Sequence, residues 1–166
     1  MKLKEVMEMT IEIETNSKEE TIELGKKISK FLFPGSVITL NGDLGAGKTT
    51  ITKGIGKGLG IEEEINSPTF NILKCYFNDK LNLFHIDAYR LEDVSDEGKN
   101  IGLEEVIEGN GVAIIERPQF IEEMIPFSSM NIEIHSLGDN KRQLIFSSLS
   151  PKYYALMESL GGKRSA

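Results

Sequence analysis

The chain predicts an α/β sandwich with a mostly parallel central sheet, helices on both faces and antiparallel hairpins. Three observations predict it. The run Val112-Ala113-Ile114-Ile115-Glu116 is unbroken and apolar up to its last residue, as suits a strand buried on both faces of a parallel sheet. Helical periodicities alternate with strand-like runs along the chain, which is the pattern of layered α/β folds. The third is the stretch Gly42-Asp43-Leu44-Gly45-Ala46-Gly47-Lys48-Thr49, between a β-branched run and a helical one. It matches the phosphate-binding loop pattern G-x-x-x-x-G-K-[ST] at every fixed position, so the sandwich is expected to be of the P-loop NTPase type.

In chain order, Thr10 to Thr15 alternate apolar and polar residues, a half-buried strand. Ser17-Lys18-Glu19-Glu20 forms a capping box, and Leu24, Ile28, Phe31 and Leu32 give the following helix one apolar face. Pro34-Gly35 turns the chain into the strand Val37–Leu40, and the glycine loop follows at once. Ile51, Ile55 and Leu59 then recur every four residues; Gly54, Gly56 and Gly58 on that helix are expected to allow close packing against the sheet. Ser67-Pro68-Thr69-Phe70 breaks the pattern. Asn71 to Phe77 and Leu81 to Asp87 predict a hairpin across Asn78-Asp79-Lys80.

Glu92 to Asn100 is acidic and reads as an exposed loop, and Leu103, Val106 and Ile107 as a short helix ended by Gly109. After the Val112 run, Phe120 to Met124 predict another short helix. Asn131 to His135 and Arg142 to Phe146 flank Gly138-Asp139-Asn140 as a second hairpin. A final helix starts at Ser150-Pro151, and residues 163–166 are expected to fray. No repeat or linker interrupts the 166 residues, so one domain is expected over 1–166.

The loop carries chemistry because phosphate oxygens are best held by backbone N–H groups aimed inward, and Gly42, Gly45 and Gly47 permit that path. Lys48 is expected to reach the β- and γ-phosphates of ATP, and Thr49 to ligate Mg²⁺ at the start of the helix. Glu116 ends its strand where ligands bind in such sheets, and so suits a second Mg²⁺ contact. His85 and Asp87 alternate on one strand and share a face; Asp87 suits an acid beside the metal or the attacking water, whereas two histidines and one cysteine make zinc a poor reading.

Composition excludes several classes. With 19 Lys and Arg against 26 Asp and Glu, the net charge of −7 argues against nucleic-acid binding through a broad basic face. No apolar run approaches the ~18 residues of a membrane helix, and the single Cys75 cannot form an internal disulfide. A cytoplasmic protein is expected, with Cys75 a small hydrophobe in a strand. A small-metabolite kinase shares the loop, but between Arg90 and Lys141 only Lys99 and Arg117 are cationic, a poor supply for a phosphoryl clamp. A GTPase lacks its N-K-x-D and D-x-x-G motifs here. A nucleotide-sensing binding module stays open and differs in not needing hydrolysis.

Four blocks together resemble the bacterial TsaE (YjeE) family: Gly42 to Thr50, Ser67-Pro68-Thr69-Phe70, His85-Ile86-Asp87-Ala88-Tyr89-Arg90-Leu91 and Ile115-Glu116-Arg117-Pro118. The resemblance implies a P-loop ATPase of tRNA threonylcarbamoyladenosine formation, working with TsaD and TsaB on adenosine 37 of tRNAs that read codons beginning with A. It implies that tRNA is reached through that complex. By the family pattern Leu44, Gly45, Ala46, Gly47, Lys48, Thr49 and Thr50 hold the nucleotide, Thr49 and Glu116 hold Mg²⁺, and Asp87 is needed for activity. Ser17 and Arg142 match nucleotide contacts more loosely. The family's usual Glu-Trp-Pro is Glu116-Arg117-Pro118 here, and the chain has no Trp. Arg117 is therefore expected to contact phosphate or an acidic surface of a partner.

Overall fold

A computed structural model of the chain describes residues 7–43, 45–66, 72–91 and 102–164. In order these form β1 (Met9–Thr15), α1 (Lys18–Ser29), β2 (Val37–Gly42), α2 (Lys48–Gly58), β3 (Leu73–Tyr76) and β4 (Leu83–Asp87). There follow α3 (Leu103–Ile107), β5 (Val112–Glu116), β6 (Met130–Gly138), β7 (Lys141–Ser148), α4 (Tyr154–Ser159) and β8 (Lys163–Arg164). Short 3₁₀ helices span Ala88–Leu91, Pro118–Met124 and Pro151–Tyr153.

The strands make one eight-stranded sheet in the order β3-β4-β5-β2-β6-β7-β1-β8. The centre, β4-β5-β2-β6, is parallel. The β3–β4, β6–β7, β7–β1 and β1–β8 pairs are antiparallel. Mostly parallel is thus an overstatement: the sheet is mixed, with its parallel part confined to the centre. Short connections cause this for β3–β4 and β6–β7, because a strand can return through a few residues only in antiparallel fashion, whereas a parallel neighbour needs a crossover; β7–β1 and β1–β8 join strands distant in sequence. Both expected hairpins form, the first over Leu73–Tyr76 and Leu83–Asp87 and the second with β6 and β7 longer than their apolar cores.

Alternation along the central strands separates two cores. Ile38 and Leu40 of β2 and Ile114 of β5 join Ile28 of α1, Ile51 and Ile55 of α2, and Tyr153 and Met157 near the C-terminus. Val37 of β2 and Ala113 and Ile115 of β5 instead meet Leu103 and Ile107 of α3 with Ile121 and Met124. Helical segments therefore cover both faces. The Tyr153 hydroxyl accepts a hydrogen bond from Val37 N at 2.8 Å, which ties the C-terminal helical turn to the start of β2.

Two of the three glycines of α2, Gly54 and Gly58, serve a different neighbour from the one expected. A Cβ on Gly54 would run into Ile22 O, and one on Gly25 would meet Ile51 O and Ile55 N at 2.7 Å, so α1 and α2 pack backbone to backbone. Gly58 likewise meets Ser29 and Lys26 of α1, whereas Gly56 faces Ile65 and Leu83 of β4, on the sheet side. Of the residues expected to fray, Lys163 and Arg164 pair with Glu12 and Ile11, and 165–166 lie outside the described residues. Phe120–Met124 is 3₁₀ rather than α-helical, with Ile121 out of helical φ/ψ. The expected loops at 67–70 and 92–100, and Leu44, lie outside the described residues. Among the described residues no helix is long and apolar enough to cross a membrane.

Candidate functional site

The register of the central strands gathers the candidate residues. β2 lies between β5 and β6, with Leu40 opposite Glu116 and Gly42 opposite Ile134. β4 lies on the far side of β5, with Asp87 opposite Glu116. Both carboxylates are therefore the last residues of adjacent parallel strands, beside the strand that feeds the glycine loop, which is where ligands bind in such sheets. The loop turns with Gly45 at φ 81° and Gly47 at φ 113°, the left-handed region that favours glycine. Gly47 caps α2 without a side-chain bond, and Ile51 N donates to Gly47 O at 3.0 Å.

Lys48, the first residue of α2, is 7% exposed, and its Nζ donates to Gly42 O at 2.6 Å. Burial pushes its pKa below the ordinary value of 10.5, and the Arg117 guanidinium pushes it further. The carboxylates of Glu116, Asp87 and Asp43 act in the opposite direction. One ammonium thus feels three acids and one cation, which places these side chains in one electrostatic neighbourhood. Thr49 and Thr50 are half-buried at the same helix start.

Glu116 is buried, and its Oε2 lies 2.6 Å from Nε2 of the fully buried His85. Sharing a face with Asp87 was legible in the alternation of β4; the partnership with Glu116 was not. His85 stands opposite Ile114, two residues before Glu116 on the neighbouring strand, so the two meet as diagonal neighbours. Only a β4–β5 register could have revealed it. Asp87 Oδ1 accepts from Tyr89 N at 3.2 Å.

Arg117 adopts φ 57°, a left-handed conformation that is rare outside glycine, and its N donates to Leu40 O at 3.1 Å. Its guanidinium carbon sits 4.7 Å from the centre of the Tyr89 ring, which makes an edge contact with Phe120. A cleft of about 180 Å³ opens on the other side of the loop, lined by Lys18, Thr21, Gly45, Gly47, Thr50, Asn140 and Arg142. Arg142 Nη1 is held by Asp139 O at 3.0 Å and Lys141 O at 2.9 Å, and Nη2 reaches Gly45 O at 3.5 Å. Arg142 therefore stands beside the loop. The Ser17 hydroxyl accepts from Glu20 N at 3.1 Å as the expected cap of α1, and the next residue, Lys18, faces the cleft.

A family model described as "Threonylcarbamoyl adenosine biosynthesis protein TsaE" matches residues 15–144. The chain belongs to the TsaE family. Among TsaE proteins, the tRNA threonylcarbamoyladenosine biosynthesis protein TsaE of Bacillus subtilis (strain 168) is 44% identical over 146 residues, covering 88% of this chain and 90% of the relative. That of Treponema pallidum (strain Nichols) is 38% identical over 130 residues, covering 78% of this chain and 95% of the relative. The fold also matches the crystal structure of Bacillus subtilis YdiB, with TM-score 0.76 and 38% identity over 93% of this chain and 96% of that one.

The donor set fits a nucleotide with Mg²⁺ on grounds of its own. Gly45 has open space where a side chain would stand, so a phosphate group can approach its backbone. A buried cation beside buried and half-buried acids matches alternating phosphate and metal charges. Among the described residues no three His, Cys, Asp or Glu side chains converge as a metal site. Glu116 and the Thr49 hydroxyl are oxygen donors of the kind a hard cation such as Mg²⁺ takes.

Proposed function

We propose that the protein is a Mg²⁺-dependent ATPase required for the threonylcarbamoyl modification of tRNA adenosine 37, acting with TsaD and TsaB. The observation that carries the ATPase part is the convergence of Lys48, Asp87 and Glu116 at the loop that begins α2. The tRNA part rests on the names of the TsaE relatives.

ATP would lie with its triphosphate along the loop from Leu44 to Thr50, over Gly45, Ala46 and Gly47. Lys48 binds the β- and γ-oxygens, exchanging its bond to Gly42 O for charge-assisted bonds to phosphate. Thr49 and Glu116 would hold Mg²⁺, which supplies charge neutralisation at the same oxygens. Asp87 orients the attacking water in line with the γ-phosphate, and Lys48 offsets the charge that develops on transfer. Arg142, and more loosely Ser17, face the rest of the nucleotide. Arg117 stands beside Lys48 as a further cation for phosphate or for an acidic partner surface. TsaD and TsaB would carry the group transfer, and tRNA would be reached through them.

The test mixes the purified protein with TsaD and TsaB homologues and follows phosphate release together with tRNA modification. Release that depends on the partners is expected, and Lys48→Ala and Glu116→Ala should each lower it by at least ~100-fold. Normal hydrolysis in either variant, or transfer of the γ-phosphate to a metabolite, would refute the reading.

A further inference from the structure

The His85–Glu116 pair lies within the candidate site, with the imidazole behind the carboxylate and away from solvent. His85 has no exposed surface, and its Nε2 stands 2.6 Å from Glu116 Oε2. Its other ring nitrogen, Nδ1, is buried without a hydrogen-bond partner among the described residues. A proton on Nδ1 would be a donor facing apolar surroundings, whereas a proton on Nε2 faces a carboxylate oxygen. The lower-energy arrangement therefore has Nε2–H donating to Oε2. A buried polar ring with one orphaned atom costs stability, and an apolar side chain would fill the same space without that cost. What the ring supplies in return is direction. It holds one oxygen of a carboxylate at the end of β5.

We propose that His85 is a positioning residue for Mg²⁺: it anchors Oε2 of Glu116 so that Oε1 serves the metal. This rests on the ATPase reading above. A carboxylate with both oxygens free rotates about its terminal torsion, and a metal must then freeze that motion on binding. A carboxylate already held by an imidazole N–H presents one oxygen in advance. Partners of this kind around metal ligands are commonly worth about tenfold or more in metal affinity. With no exposed surface, His85 would touch neither nucleotide nor the reacting atoms.

Calorimetric titration of ADP into the full chain, with and without Mg²⁺, measures the gain in affinity that the metal brings. His85→Met, similar in bulk but without a donor, should cut that gain about tenfold while leaving the Mg²⁺-free affinity within about twofold. His85→Gln, whose amide nitrogen can reach the place of Nε2, should restore most of it. An undiminished gain in His85→Met, or equal losses in both variants, would overturn the role. Should His85→Met not fold, the wild-type protein still decides. It has two histidines, and His135 is exposed. Nitrogen-15 NMR should therefore show one slowly exchanging Nε2–H proton that disappears in His85→Gln. Its absence, or an Nδ1–H tautomer, overturns the proposal. A wild-type protein with no Mg²⁺-dependent gain would fail at the earlier step and remove the metal site itself.

Discussion

Lys48 is buried and close to a second cation, a repulsion that an anionic ligand would relieve. Its pKa is lowered first by burial and then by Arg117. The unfolded chain thus holds more protons than the folded one between that lowered value and 10.5, and in this window stability rises with pH. The penalty is complete below the folded pKa and gone above 10.5. Lys48→Met should therefore show a higher melting temperature than the wild type at pH 7, with the difference shrinking as pH approaches 10.5. Calorimetry of both proteins across pH checks this; a lower melting temperature at pH 7 would mean that the bond to Gly42 O outweighs the buried charge. Arg117 could be seen in the sequence as a departure from Glu-Trp-Pro. Its left-handed backbone and its stacking on Tyr89 could not, because both depend on where the 3₁₀ turn after β4 ends up beside β5.

At the scale of elements, the contact between α1 and α2 sets the position of the loop, since α2 begins at Lys48 and has no side-chain cap to fix it. Gly25 and Gly54 bring the two backbones together. Gly54→Ala raises intrinsic helix propensity by about 1 kcal/mol. Its Cβ would nevertheless collide with the backbone of Ile22, which cannot swing aside as a flexible side chain would. The clash should win, with a net loss of about 2 kcal/mol in urea unfolding. A gain in stability would show that the helices can separate freely. The period of Ile51, Ile55 and Leu59 announced a helix and its buried face. Which neighbour the glycines serve was not in that period, because small residues mark a close approach without naming its partner.

For the whole molecule, the site is shared among β2, β4, β5, α2 and the β6–β7 turn, so a ligand there couples distant parts of the chain. An ATP analogue with Mg²⁺ at 100 times its Kd should stabilise the fold by about 2.7 kcal/mol. That corresponds to a rise of roughly 5–10 °C in Tm for a chain of this size. Differential scanning fluorimetry measures it, and a comparable shift in Lys48→Ala would count against the loop as the binding site. The glycine loop, the strand-ending Glu116, the shared face of His85 and Asp87, and both hairpins are local patterns, and local patterns survive in one dimension. The sequence alone therefore determined an α/β chain with a glycine loop between strand and helix, and Asp87 and Glu116 at strand ends. Tertiary structure decided the rest: a sheet parallel only at its centre, β8 on the edge of β1, α2 seated on α1, and an imidazole holding Glu116. Each of these depends on strand order and register, and strands distant in sequence acquire neighbours only when the sheet closes around them.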